Sequence, residues 1–143
     1  MPVVHFHLAE DTYTDEQCEL LMEKASELYS EVLESPMERV RAFINFYPEW
    51  GMATAGSPVS RGGRTAPYFD FIVLEGRPLD QCHALLEGFT SLLVSILGAD
   101  RELVRGSCRP VPPHYWGIAG KPASEVRAKE IENRGKIGAD QRK

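Results

Sequence analysis

The sequence predicts an α/β fold of the α+β kind: two tandem βαβ units sharing one four-stranded sheet, with two helices on one face. Three observations predict it. A strand–helix–strand pattern occurs twice within 143 residues. The two occurrences correspond in order, residue against residue, at an offset of 64 to 66. Each helical stretch carries one apolar stripe, which a sheet can cover.

The elements follow in order. Pro2–Leu8, within "MPVVHFH", alternates as a strand does. From Asp11 the pattern turns helical, with Thr14 as N-cap, Asp15 and Glu16 in the first turn, and Leu20, Leu21, Ala25, Leu28, Val32 and Leu33 as the apolar stripe. Ser35-Pro36 ends that helix, and Arg39–Tyr47 reads as the second strand. "GMATAGSPVSRGGRTA" (51–66) is rich in glycine and small residues and reads as a linker or long loop. "PYFDFIVLEGR" (67–77) is the third strand, closed by a glycine turn. Asp80 to Leu97 is the second helix, Gly98 stops it, and Glu102–Arg109 is the fourth strand.

The correspondence between halves pairs Pro2 with Pro67, Phe6 with Phe71, Glu10 with Glu75 and Asp15 with Asp80. It continues through Leu20-Leu21 and Leu85-Leu86, Val40-Arg41 and Val104-Arg105, and Trp50-Gly51 and Trp116-Gly117. Paired Val-Arg and Trp-Gly in the same order mark a tandem duplication. The units are therefore 1–56 and 67–127, joined by a linker at 57–66 and followed by a tail at 128–143, all within one compact domain. The tail is locally basic and reads as a solvated end. Each βαβ unit pairs its strands in parallel through a right-handed crossover. Two helices cover one sheet face only, so self-association into a closed ring is expected.

Composition narrows the function. With 43% apolar and 26% charged residues the chain is ordinary globular material. The net charge of −5 is spread along the chain, without the basic face that a nucleic-acid binder needs. No apolar run approaches the roughly 20 residues that cross a bilayer, and no basic-then-apolar leader opens the chain. A soluble cytoplasmic protein is expected. Cys18, Cys82 and Cys108 form no CxxC and no even set, which suits reduced thiols. His5 and His7 share one strand face and read as a packed pair, with no metal site.

"PYFDFIVLEGR", the helix after it, Val104-Arg105 and "HYWGIAGKPASEVR" (114–127) resemble the 4-oxalocrotonate tautomerase subunit almost without gaps. Pro2 to about Gly56 resembles a second, more diverged copy. The whole is similar to fused members of the tautomerase superfamily, which include cis-3-chloroacrylic acid dehalogenase-like and malonate semialdehyde decarboxylase-like branches. The resemblance implies a tautomerase/MIF-like fold, a homotrimer and cofactor-free chemistry on a small carboxylate substrate. It also implies an amino-terminal proline as base, arginines that hold the carboxylate, and an aromatic wall. Here those roles fall on Pro2, on Arg77 with Arg41 or Arg105, and on Trp50 or Trp116, with Tyr29 as a further pocket candidate.

The chemistry stands on its own terms too. Removal of Met1 exposes a secondary amine at Pro2. An α-amino group titrates near ~8, and burial or nearby arginines lower it toward neutrality, where a base best shuttles protons between oxygen and carbon. Pro67 lies in an amide with Ala66 and has no basic lone pair. Arg77 follows a strand end, and its planar guanidinium matches a carboxylate bidentately.

The expected activity is keto–enol tautomerisation of 2-hydroxy-dienoate or enolpyruvate-type acids. The alternatives are hydration, dehalogenation or decarboxylation of three-carbon acids on the same scaffold, or a non-catalytic interaction scaffold. Departures from the family pattern are Thr12 where the second copy has Arg77, Leu74 where the dehalogenase-like branch has a second arginine, and Glu38 as an imperfect match for the decarboxylase-like acid.

Overall fold

The computed structural model describes residues 2–141, with side chains as far as residue 135. β1 (Val3–Ala9), α1 (Asp15–Leu33) and β2 (Arg41–Tyr47) form the first unit. After it comes a two-residue ribbon, β3 (Ala53–Thr54) with β4 (Ser57–Pro58). β5 (Tyr68–Leu74), α2 (Leu79–Leu97) and β6 (Arg105–Val111) repeat the unit, followed by a second ribbon, β7 (Gly117–Ile118) with β8 (Lys121–Pro122). Two further helices close the chain, α3 (Ala123–Val126) and α4 (Ala128–Gln141). The sheet order is β2-β1-β5-β6, parallel within each unit and antiparallel where β1 meets β5.

Thr14 caps α1 as expected, and the cap is reciprocal. Its hydroxyl accepts from the Gln17 amide while the Gln17 side chain accepts from the Thr14 amide. Glu34 ends α1 in the left-handed region, at φ 51°, where the second unit uses Gly98 at φ 69°.

Val4, Phe6 and Leu8 on β1, with Phe69, Phe71 and Val73 on β5, point to one face of the sheet, as period-two strands require. Against them lie Cys18, Leu21, Ala25, Tyr29 and Leu33 of α1 and Cys82, Leu85, Phe89, Leu93 and Leu97 of α2. These helix sets superpose at an offset of 64, so Leu21 rather than Leu20 answers Leu85. Leu20 is 41% exposed. Phe89 sits centrally, its ring edge-on to Phe6 and Tyr29. All three cysteines are free thiols.

The strands begin later than the apolar pattern alone suggests. Short 3-10 turns at Met37–Arg39 and Arg101–Leu103 precede β2 and β6. The stretch read as linker holds β4 and a further turn at Val59–Arg61. The largest departure is the tail. From Ala128 it runs as α4, and the first turn of that helix meets the first unit through an Arg39–Glu130 ion pair.

The opposite sheet face carries His5, His7, Phe43, Tyr47, Tyr68 and Asp70. His7 Nε2 lies 2.6 Å from Asp70 Oδ2 and its Nδ1 2.7 Å from the Tyr47 hydroxyl. Phe43 and Tyr68 are exposed on this face, so among the described residues no element covers it. Among the described residues no helix is long and apolar enough to cross a membrane.

Candidate active site

Pro2 is buried at the entry to β1, and its carbonyl accepts from the Arg41 amide at 2.9 Å. β1 and β5 run antiparallel, with Val3 opposite Ile72. The start of the first unit therefore lies beside the end of β5, which carries Arg77 from the other unit to Pro2. The chamber around Pro2 is completed by Leu33 and Ser35 from the end of α1, by Arg39, Val73 and Leu74, and by Arg127, Glu130 and Arg134.

Four arginines and one glutamate thus face a buried proline. Arg77 donates from Nη1 to the Leu33 carbonyl at 2.6 Å and has no ion pair among the described residues. Burial, then the nearby Arg134 cation, lowers its pKa to about 10, still well above neutrality. Arg39 is engaged differently: its Nη1 and Nη2 donate to Glu130 Oε2 and Oε1 at 3.0 and 2.9 Å. That hydrogen-bonded guanidinium holds the Glu130 carboxyl below its ordinary range. Burial lowers the pKa of Arg134 as well.

The free space directly against Pro2 is about 10 Å³, room for about one water. An outer basin of about 580 Å³ adjoins it, sharing Leu33, Ser35, Arg39, Arg77, Glu130 and Arg134. On the other side a groove of about 440 Å³ holds Arg41 and Trp116, and shares Arg39 and Arg127 with the chamber.

The sequence candidates therefore divide. Pro2 and Arg77 meet in the chamber, and Arg41 and Trp116 meet in the groove beside it. Glu38 lies in that groove too, outside the chamber. Arg105 bonds at the second proline, its amide donating to the Pro67 carbonyl at 3.2 Å. Trp50 is 80% exposed and lines none of these spaces. Tyr29 belongs to the core: it is wholly buried, and its hydroxyl donates to the Val3 and Ile72 carbonyls. Burial raises the pKa of that hydroxyl further.

Arg39, Arg127, Glu130 and Arg134 were not among the expected residues. Arg39 stands next to the repeated Val-Arg pair, where the second unit has Leu103, so the repeat itself held the signal. Glu130 and Arg134, four residues apart, lie on one face of α4, and Arg127 stands three residues ahead of Glu130 in the turn before that helix.

A family model described as tautomerase enzyme matches residues 2–61, the half that the sequence reading takes as the more diverged copy. The 2-hydroxymuconate tautomerase of Comamonas testosteroni is 40% identical over 60 residues, covering 42% of this chain and 95% of that one. Among solved structures, a native fused 4-OT matches with a TM-score of 0.82 at 21% identity, over 87% of this chain and 98% of its own. A fused 4-OT described as a wild-type symmetric trimer matches with a TM-score of 0.79 at 21% identity, over the same shares of both chains. A relative matched over nearly its whole length and solved chains that share this doubled architecture lead to one assignment: the protein belongs to the tautomerase family, in its fused tandem form, and is an isomerase.

Proposed function

We propose that the chain catalyses keto–enol tautomerisation of small 2-hydroxy-dienoate or enolpyruvate-type acids, with Pro2 as the base once Met1 is removed. One observation carries the reading: a buried proline and an arginine without an ion pair among the described residues line one chamber, brought together from different units. In this reading the Pro2 nitrogen takes the enol hydroxyl proton and returns it to carbon. Four surrounding guanidinium groups, opposed by the single Glu130 carboxylate, disfavour a protonated amine, which keeps the nitrogen available as a base near neutrality. Arg77 holds the substrate carboxylate and stabilises charge that develops on oxygen.

The same reading takes the working form as a homotrimer without a cofactor. Support comes from the uncovered sheet face with its exposed Phe43 and Tyr68, and from the trimeric description of a fused 4-OT neighbour. Trp50 and Arg105, exposed in the single chain, are then the residues a neighbouring copy can offer to the site.

The test is chemical. A halopropiolate, which alkylates amines, should label each chain once at residue 2 and abolish ketonisation of 2-hydroxymuconate. Retention of Met1 on fully active protein rules the mechanism out.

A further inference from the structure

The chamber at Pro2 is lined in part by a carboxylate that the proposed chemistry leaves unused. Glu130 reaches across from α4 and takes both terminal nitrogens of Arg39, at 2.9 and 3.0 Å. Arg127 Nε and Arg134 Nη2 each stand 3.9 Å from its carboxylate. This is the forked geometry in which a guanidinium receives any carboxylate, a substrate's included. Glu130 and Arg39 also stand in the wall shared by the outer basin and the chamber. The basin is roomy enough for a small acid, whereas the space at Pro2 holds about one water.

We propose that Glu130 is a specificity-determining residue: an internal carboxylate seated on Arg39 that a substrate's carboxylate displaces as it enters. Displacement releases the first turn of α4 from the first unit and joins the basin to the chamber. A monocarboxylate satisfied by Arg77 has nothing to exchange for Glu130. A dicarboxylate places one anion on each of Arg77 and Arg39 and opens the pocket itself. The substrate assignment rests on the reading of Pro2 as base; the exchange at Arg39 does not.

Fumarate, a dicarboxylate without an enol, reads the exchange apart from turnover. In the full-length protein, Glu130→Gln keeps the side-chain shape and removes the competing charge. Calorimetric fumarate binding should tighten about five-fold, the scale of a partly exposed ion pair, while acetate binding changes less. The KM for 2-hydroxymuconate should fall by a similar factor, with a smaller change in kcat. Glu130→Asp, which keeps the charge but withdraws it from Arg39, should fall between the two. In the wild type, fumarate should quicken tryptic cleavage at Lys129. Unchanged fumarate affinity in both folded variants, or slower cleavage with fumarate, overturns the exchange. Tighter fumarate binding in a protein that ketonises nothing keeps the exchange and overturns Pro2 as base. Unchanged binding in an active protein does the reverse.

Discussion

The two prolines that open the two units occupy the same place in the backbone and face different surroundings. Both are buried, and each carbonyl accepts from an arginine amide, Arg41 for Pro2 and Arg105 for Pro67, at 2.9 and 3.2 Å. Leu33 lines one pocket and its counterpart Leu97 the other. Beyond the backbone the likeness ends. Around Pro67, Thr12 stands for Arg77 and Leu103 for Arg39, and the nearby Arg64 is closed off by Asp100 at 2.8 Å. Duplication has preserved the backbone around both prolines, while a few substitutions concentrate positive charge at one copy only.

The largest effect expected from that contrast comes from exchanging each proline for alanine. Each change removes similar packing, and each should cost similar, modest stability. Pro2→Ala should lower ketonisation of 2-hydroxymuconate by about 10²–10⁴-fold, the usual worth of a positioned base. Pro67→Ala should leave the rate within a few-fold, because its nitrogen is an amide. Equal rates in the two variants break the comparison.

Next in size is the arginine. Arg77→Ala should weaken transition-state stabilisation for a carboxylate substrate by about 2–4 kcal/mol and affect an ester analogue less. Thr12→Arg in that background should restore nothing, since it places a guanidinium beside a proline without a basic nitrogen. Equal losses for acid and ester give Arg77 a purely structural role.

A smaller contrast lies in the core, where the units differ by a volume exchange. Val4 pairs with Ala42 in the first unit, and Phe69 pairs with Gly106 in the second. A methyl at Gly106 would fall within contact of three atoms of the Phe69 ring, which is wholly buried. Gly106→Ala should therefore cost about 1–3 kcal/mol by overpacking, read as a lowered Tm. Pairing it with Phe69→Val, which recreates the Val4–Ala42 arrangement, should recover part of that loss.

Much of the fold was legible because it rests on local signals that repeat. Thr14 with Gln17, Gly98 and the two apolar stripes mark helix ends and faces without help from tertiary contacts. The stripe of α1 was harder to place, since Cys18 and Tyr29 face the sheet while Leu20 faces solvent, and hydrophobicity alone ranks them the other way. Pro2 and Arg77 were legible as a pair from chemistry and resemblance. Arg39, Glu130 and Arg134 were not, because a charged run reads as solvated until something shows what it packs against. Their place depends on α4 returning to the first unit, a non-local contact that composition does not encode.

The smallest expected effect isolates that contact by pH. Each pocket has an arginine–carboxylate pair, Arg39–Glu130 at Pro2 and Arg64–Asp100 at Pro67. The Glu130 carboxyl is held below its ordinary value of 4.5 by the Arg39 hydrogen bonds. A depressed carboxyl contributes its stability fully above 4.5 and loses it as pH falls through the lower, folded value. With Glu130 42% exposed, solvent screening limits the contribution to about 1 kcal/mol or less. Wild type should thus lose slightly more Tm than Glu130→Gln between pH 6 and roughly pH 3. The accompanying change should be local, with amide hydrogen exchange in the first turn of α4, corrected for its intrinsic pH dependence, losing protection in acid for wild type and already weakly protected in the variant. Asp100→Asn should leave that protection unaltered, since its pair closes the other pocket. If Glu130→Gln and wild type share one acid slope and one level of protection, Arg39 does not hold α4 in solution. The difference between the two prolines then reduces to Arg77 against Thr12.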